Sequence, residues 1–106
     1  MECRIGGSDL NPYLALAAQL AAGIKGIEDK LSLQPPTSGD IYKSEDAANI
    51  PSTLRDATIA LRDSTMLRDA LGSDVVDHYV RAAMWEQEEF DCIVTDYEIA
   101  RGFERA

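Results

Sequence analysis

Residues 2–15 decide how the chain is interpreted, and they read Glu-Cys-Arg-Ile-Gly-Gly-Ser-Asp-Leu-Asn-Pro-Tyr-Leu-Ala. Asn11 and Pro12 predict a helix start, because an Asn side chain accepts hydrogen bonds from the free N–H groups of a first turn and Pro is favoured at the first helical position. The segment from Gly6 to Asp9 predicts a turn. Residues 2–5 fit the last part of a strand whose beginning is absent.

The chain beyond this stretch is predicted to be mostly helical. Apolar residues at helical spacing predict a helix over residues 11–31, and a loop over 32–51 follows from Pro35-Pro36 and weak periodicity. A helical segment is predicted over residues 52–106. The strand end at residues 1–5 has no partner for its backbone groups, so we expect a missing segment ahead of it and interpret Met1 as an artificial or truncated start.

Several helix ends are predicted inside residues 52–106. Thr53 followed by Asp56 has the form of a capping box, Ser64 opens a short second segment, Gly72 ends that segment, and Ser73 caps the next helix. One apolar face of this last helix is predicted from residues at 3.6-residue spacing: Val76, Tyr79, Val80, Ala83, Gln87, Phe90 and Val94.

Composition restricts the class of partner. The chain has 106 residues and a net charge of -9, so it accommodates one small domain with an acidic surface. Such a surface repels phosphate groups and therefore argues against nucleic-acid binding and against attachment to an anionic membrane. With two cysteines far apart in sequence and no metal-ligand spacing, a cytoplasmic location is expected.

Glu2 and Arg4 are the pair of residues best suited to chemistry. On a strand, alternate side chains point to the same face, so the two would project together. A carboxylate is a hard ligand for Mg²⁺ or Mn²⁺, and a guanidinium binds phosphate or carboxylate through two hydrogen bonds. By themselves, however, two charged residues near a terminus are more simply explained as solvated.

The residues from Glu2 to Ala15 resemble a motif of the glutamine synthetase family: Glu-x-Arg on a strand, a short loop, then Asn-Pro-Tyr-Leu opening an Ala-rich helix. Residues 20–28, residues 53–57, Trp85-Glu86 and residues 94–98 are similar to later parts of the same family pattern. The resemblance covers nearly the whole chain. It implies an α+β catalytic domain of which residues 1–106 are the C-terminal part, with residues 1–5 as a remnant of its sheet.

The resemblance also implies a function. Glu2 would bind one catalytic divalent metal ion, Mg²⁺ or Mn²⁺, and Arg4 would bind the transferred phosphoryl group or the substrate glutamate. The parent would be a homo-oligomeric, ATP-dependent ligase that joins glutamate to ammonia or an amine through a γ-glutamyl phosphate. Gly6-Gly7 stand where the family often has a proline, which leaves the amine substrate open. The fragment alone is expected to be inactive.

A stand-alone helical interaction module without catalysis is the rival hypothesis, since amphipathic helices and an acidic surface also suit such a module. Other candidates have simpler structural roles. His78 is expected at the surface or its boundary, Asp9 is expected to shape the turn, and Cys3 to pack as a small apolar residue. Trp85, Tyr97 and Phe103 are expected in a core or an interface.

Overall fold

The computed structural model describes residues 6–36, 39 and 49–105, and all regular secondary structure within these ranges is helical. The mostly helical character predicted for the chain is thereby confirmed. The predicted strand remnant at residues 1–5 and most of the long loop lie outside the described residues. The helices are α1 (Pro12–Glu28), α2 (Leu54–Asp63), α3 (Thr65–Leu71), α4 (Ser73–Asp91) and α5 (Asp96–Glu104).

The first helix starts as the sequence predicts. Asn11 has extended backbone angles, and its side-chain oxygen accepts hydrogen bonds from the N–H groups of Tyr13 (3.0 Å) and Leu14 (3.2 Å). Pro12 occupies the first helical position, where its missing N–H removes no helical hydrogen bond. Two of the free donors of the first turn are therefore satisfied locally.

The first helix ends three residues earlier than the sequence predicts. Lys30 has a φ of 52°, in the left-handed region, and its N–H donates to the Ile27 carbonyl at 3.1 Å. The Leu31 N–H donates to the Gly26 carbonyl at 3.0 Å. These two bonds form a Schellman motif, which satisfies the last carbonyls of a helix and turns the chain away from its axis. A Cβ placed on Gly26 would lie 3.9 Å from Leu31 Cδ1, so the Leu31 side chain covers the last turn.

Two of the predicted caps of the later helices are confirmed. The Thr53 hydroxyl accepts from the Asp56 N–H at 3.1 Å, and the Ser64 hydroxyl accepts from the Leu67 N–H at 3.2 Å. The C-terminal helix α5 begins with a complete capping box that the sequence analysis did not single out. Thr95 Oγ1 accepts from the Glu98 N–H at 3.3 Å, while the Glu98 carboxylate accepts from the Thr95 N–H at 2.8 Å.

The junction between α3 and α4 differs from the prediction. Gly72 ends α3 as expected, with a φ of 89°, but it is also the N-cap of α4, and no side chain caps this helix. The prediction that Ser73 caps α4 is therefore wrong, because Ser73 is already the first helical residue. A single residue joins the two helices, and the positive φ at this position is one that glycine adopts without the Cβ clash other residues meet.

The core lies between α2 and α4. These helices run antiparallel, with Arg55 at the start of α2 paired to Asp91 at the end of α4 (2.8 Å). Val76 and Val80 are the buried apolar residues of the described ranges, at 1% and 8% exposure. Thr58 is also buried, and its hydroxyl donates to the Leu54 carbonyl at 2.7 Å, which satisfies the polar group. Helix α3 packs on α4, and α1 packs on α3.

The predicted apolar face of α4 is covered only over part of its length. Val76, Tyr79, Val80, Ala83 and Gln87 are buried or half-buried, as predicted. Phe90 is 62% exposed, and Val94 lies beyond the helix and is 69% exposed. The prediction is wrong for Val94, which lies outside α4, whereas Phe90 lies within the helix at the predicted spacing but is not covered by the described residues.

A large apolar surface is exposed to solvent. Twenty large apolar side chains of the described residues are exposed. This surface is typical of a domain portion that packs against further protein.

Candidate functional site

Both residues that the sequence singles out for chemistry, Glu2 and Arg4, lie outside the described residues. The connection that follows them is described, from Gly6 to Leu10, and it leads directly into the Asn11 cap of α1. In this connection the Leu10 N–H donates to the Gly7 carbonyl at 3.4 Å, which closes a turn. The turn predicted over residues 6–9 is therefore confirmed.

Side chains lie directly over the two glycines of this turn. A Cβ on Gly6 would come within 2.2 Å of Leu10 Cδ2, and a Cβ on Gly7 would come within 2.7 Å of an Asp9 carboxylate oxygen. Both distances are far below van der Waals contact. The Asp9 carboxylate lies over the turn itself, in agreement with the shaping role predicted for this residue.

The start of α1 is held against the corner between α3 and α4. Leu10 and Leu14 line an apolar cleft together with Leu67, Val75 and Tyr79 from that corner. The Asn11 cap lies beside this cleft.

The electrostatic perturbations within the described residues arise from local surface pairs. A hydrogen bond from Arg62 lowers the pKa of Asp63, and the backbone and hydroxyl of Thr95 lower the pKa of Glu98. The hydrogen bond with Asp29 raises the pKa of Lys25. All of these groups are solvent-exposed and lie within four residues of their partners, so the shifts reflect helix-surface pairing.

The described residues do not by themselves fit a metal centre: none of their His, Cys, Asp and Glu side chains form a group of three or more that could hold an ion. His78 is exposed, as predicted, and its ring lies edge-on to the neighbouring Tyr79 ring with centroids 5.4 Å apart. Cys92 has a free, exposed thiol. None of the described helices has the length and apolarity needed to cross a membrane.

The apolar residues of α1 form a single group in the sequence, whereas the structure separates them into two faces. Leu14, Ala18 and Ala21 face the rest of the chain and are half-buried. Five large side chains are exposed on another side: Tyr13, Leu16, Leu20, Ile24 and Ile27. Their spacing of three, four, four and three residues was the signal in the sequence.

Comparison with known proteins places the chain in a family. The family model for the catalytic domain of glutamine synthetase matches residues 1–102. A gamma-glutamylethanolamide synthetase of Streptomyces coelicolor is 46% identical over 104 residues, 98% of this chain and 22% of the relative. A glutamate–isopropylamine ligase of a Pseudomonas species is 38% identical over 95% of this chain and 22% of the relative.

A third relative, a glutamine synthetase of Thermus thermophilus, is 37% identical over 94% of this chain and 24% of the relative. The chain therefore spans about a quarter or less of the length of these curated relatives. The match nevertheless includes the stretch that carries Glu2 and Arg4 as well as the helical part that the structure describes. The chain belongs to the family of the glutamine synthetase catalytic domain.

Proposed function

We propose that this chain is the C-terminal part of an ATP-dependent ligase that joins glutamate to ammonia or to another amine. The observation that carries the proposal is the family match over residues 1–102, which includes Glu2-x-Arg4 directly ahead of the Asn11-capped helix. The relatives are named for the synthesis of glutamine, for the synthesis of gamma-glutamylethanolamide and for the ligation of glutamate to isopropylamine. The amine substrate in this proposal is accordingly either ammonia or another amine.

Glu2 and Arg4 are the residues of this chain that we assign to the chemistry. Glu2 would donate one carboxylate oxygen to Mg²⁺ or Mn²⁺, which prefer hard oxygen ligands. Arg4 would bind the transferred phosphoryl group or the glutamate carboxylate with two parallel hydrogen bonds. A bound divalent ion would neutralise charge on the phosphates of ATP. Because one carboxylate does not make a metal site, the remaining ligands would come from other parts of the parent.

The proposed reaction has two steps. The γ-carboxylate oxygen of glutamate attacks the γ-phosphorus of ATP, the bond to ADP breaks, and a γ-glutamyl phosphate forms. The amine nitrogen then attacks the acyl carbon, phosphate leaves, the nitrogen loses a proton, and an amide remains. In both steps negative charge develops on oxygen atoms of the reacting group, and a positive charge held at a fixed place stabilises it. We propose this role for Arg4.

The described helices would act as the support for this site. Asn11 caps the start of α1, and Leu10 and Leu14 line a cleft with residues of α3 and α4. Under this proposal, residues 6–10 would connect that start to the residues of the site. The large exposed apolar surface suits a parent in which this part packs against further protein, including other copies in a homo-oligomer. We propose a cytoplasmic location, where ATP and glutamate are available.

A chimera tests the proposal. Residues 1–102, which the family model matches, would replace the corresponding segment of the Streptomyces relative, and glutamate-dependent release of phosphate from ATP would be measured with ammonia and with ethanolamine. We expect an active chimera in which Glu2→Ala and Arg4→Ala each reduce kcat/KM by about 100-fold or more, the usual scale for removing an electrostatic group from such a site. Glu86→Ala, an exposed position on α4, is the control and should leave the activity unchanged.

A folded chimera that retains full activity with either Glu2→Ala or Arg4→Ala would contradict the assignment of that residue. The 106-residue chain alone is expected to show no ligase activity, because it lacks the rest of the site. Ligation by the purified chain would contradict this expectation, whereas a folded chimera without any activity would favour the alternative of a helical interaction module. The exposed apolar surface gives that alternative some support.

A further inference from the structure

The start of α1 rests on residues of three other helices. The segment from Leu10 to Ala18 lines one side of an apolar cleft, and the other side of this cleft is named here the α1 seat. The seat consists of one residue near the end of α2, two of α3 and three of α4: Leu61, Leu67, Leu71, Val75, Val76 and Tyr79. Because the seat is divided among three helices, its shape depends on the angles at which α2, α3 and α4 meet.

The connections between these three helices are single residues. Ser64 joins α2 to α3, and Gly72 joins α3 to α4. Glycine adopts a wider range of backbone angles than other residues, so the second connection restricts the angle between α3 and α4 weakly. Helix α3 has only seven residues, and helices of that length are not stable by themselves in water. Side-chain contacts therefore have to hold α3 against its neighbours.

The side chain of Arg68, in the middle of α3, contacts both neighbouring helices. Its Nε donates to the Arg62 carbonyl in the last turn of α2 at 3.0 Å, and its Nη2 lies 2.8 Å from a carboxylate oxygen of Asp77 in α4. The Arg62 carbonyl is one of the acceptors at a helix end that have no partner within their own helix. One guanidinium group thus joins α2, α3 and α4, and these three groups are named here the Arg68 clamp.

A second ion pair between helices of the described ranges allows a comparison. Arg55 and Asp91 also lie 2.8 Å apart, but they join the start of α2 to the end of α4, at the ends of these helices that are remote from the seat. The Arg55 side chain is 62% exposed, whereas the Arg68 side chain is 26% exposed. Arg68 is therefore the better packed of the two, and it lies beside the residues that form the seat.

We propose that the Arg68 clamp holds α2, α3 and α4 at the angles that form the α1 seat, and that its ion pair makes the attachment of α1 sensitive to ionic strength. The Asp77 side chain is 62% exposed, so dissolved ions reach the pair and weaken it. The clamp does not depend on the ligase activity proposed above, because every group in it lies within the described helices.

Amide hydrogen exchange of the 106-residue chain, measured by NMR in a protecting osmolyte, tests the clamp. Arg68→Ala removes it, and Arg55→Ala is the matched control because it removes an ion pair of the same length away from the seat. We expect the amides of Ala18 and Ala21 in α1 to exchange about fivefold or more faster in Arg68→Ala, and to change by less than about twofold in Arg55→Ala. The Val80 amide reports whether the core remains folded.

Two further measurements distinguish the clamp from a general loss of stability. Arg68→Lys keeps the charge but lacks the planar fork that reaches both partners, so exchange in α1 should again be faster than in the unaltered chain. In the unaltered chain, raising NaCl from about 0.02 M to about 0.5 M should accelerate exchange in α1 by about twofold relative to Val80. Arg68→Ala, which has no ion pair to weaken, should lack this relative change.

Each outcome decides for or against the clamp. Unchanged exchange in α1 of a folded Arg68→Ala chain overturns it, and so do equal effects of Arg68→Ala and Arg55→Ala. Full protection of α1 in Arg68→Lys overturns the bridging role of the guanidinium group. If Arg68→Ala does not fold, the unaltered chain decides: exchange in α1 that follows Val80 at every salt concentration overturns the proposed sensitivity to ionic strength.

Discussion

Replacing Val76 by Ala tests whether the small core between α2 and α4 stabilises the described part of the chain. Val76 is 1% exposed, and the neighbouring Val75 on the same helix is 40% exposed. Val75→Ala is therefore a matched control, since both substitutions remove two methyl groups and both gain about 0.5 kcal/mol of helix propensity. Only the degree of burial differs between the two variants.

The magnitudes follow from this burial. Two fully buried methyl groups contribute about 1.6 kcal/mol in transfer free energy, and the cavity left behind adds to the loss, so Val76→Ala should cost about 1.5–2 kcal/mol net of the propensity gain. Val75→Ala loses roughly half of the transfer contribution and should cost about 0.5 kcal/mol or less.

The assay is urea unfolding of the 106-residue chain followed by circular dichroism at 222 nm. A fixed concentration of a protecting osmolyte in all samples provides a folded baseline, because a core of this size gives little stability. Comparable unfolding midpoints for the two variants would refute the reasoning, since they would mean that Val76 is no better packed than its exposed neighbour.

Two further predictions concern helix ends. At the start of α5, the hydrogen bonds from Thr95 lower the pKa of Glu98 below its ordinary value, so this carboxylate stabilises the helix at neutral pH and the stabilisation is lost as the pH falls through the lowered pKa. In an NMR titration, Glu98→Gln should weaken the acid dependence of the amide shifts at positions 95 and 98. An unchanged titration would contradict the assignment. At the end of α1, Lys30→Gly should stabilise the helix by about 0.5–1 kcal/mol because glycine adopts the left-handed φ of 52° without penalty. Lys25→Gly, inside the same helix, is the control and should destabilise it. Hydrogen exchange of the amides in the last turn of α1 should be slower in Lys30→Gly, and faster exchange in this variant would be incompatible with the Schellman motif.

The candidate site was accessible from the sequence because its signals are local. Glu2-x-Arg4, the turn at Gly6 and Gly7, and the Asn11 cap all lie within ten consecutive residues, and the family resemblance depends on their order. The proposed roles of Glu2 and Arg4 remain proposals, since both lie outside the described residues. The described turn and cap immediately after them agree with what the sequence predicted.

The sequence by itself indicated the family, the helical character of the described residues and several helix ends, because capping depends on side chains within about four residues of one another. Only the tertiary structure decided which faces are covered. Phe90 continues the periodicity of Val76 and Val80, yet its side chain is exposed while theirs are buried. The exposed apolar side of α1 could not be separated from its packed side in the sequence. Periodicity identifies the apolar sides of a helix, but only the neighbouring elements determine which side is already packed.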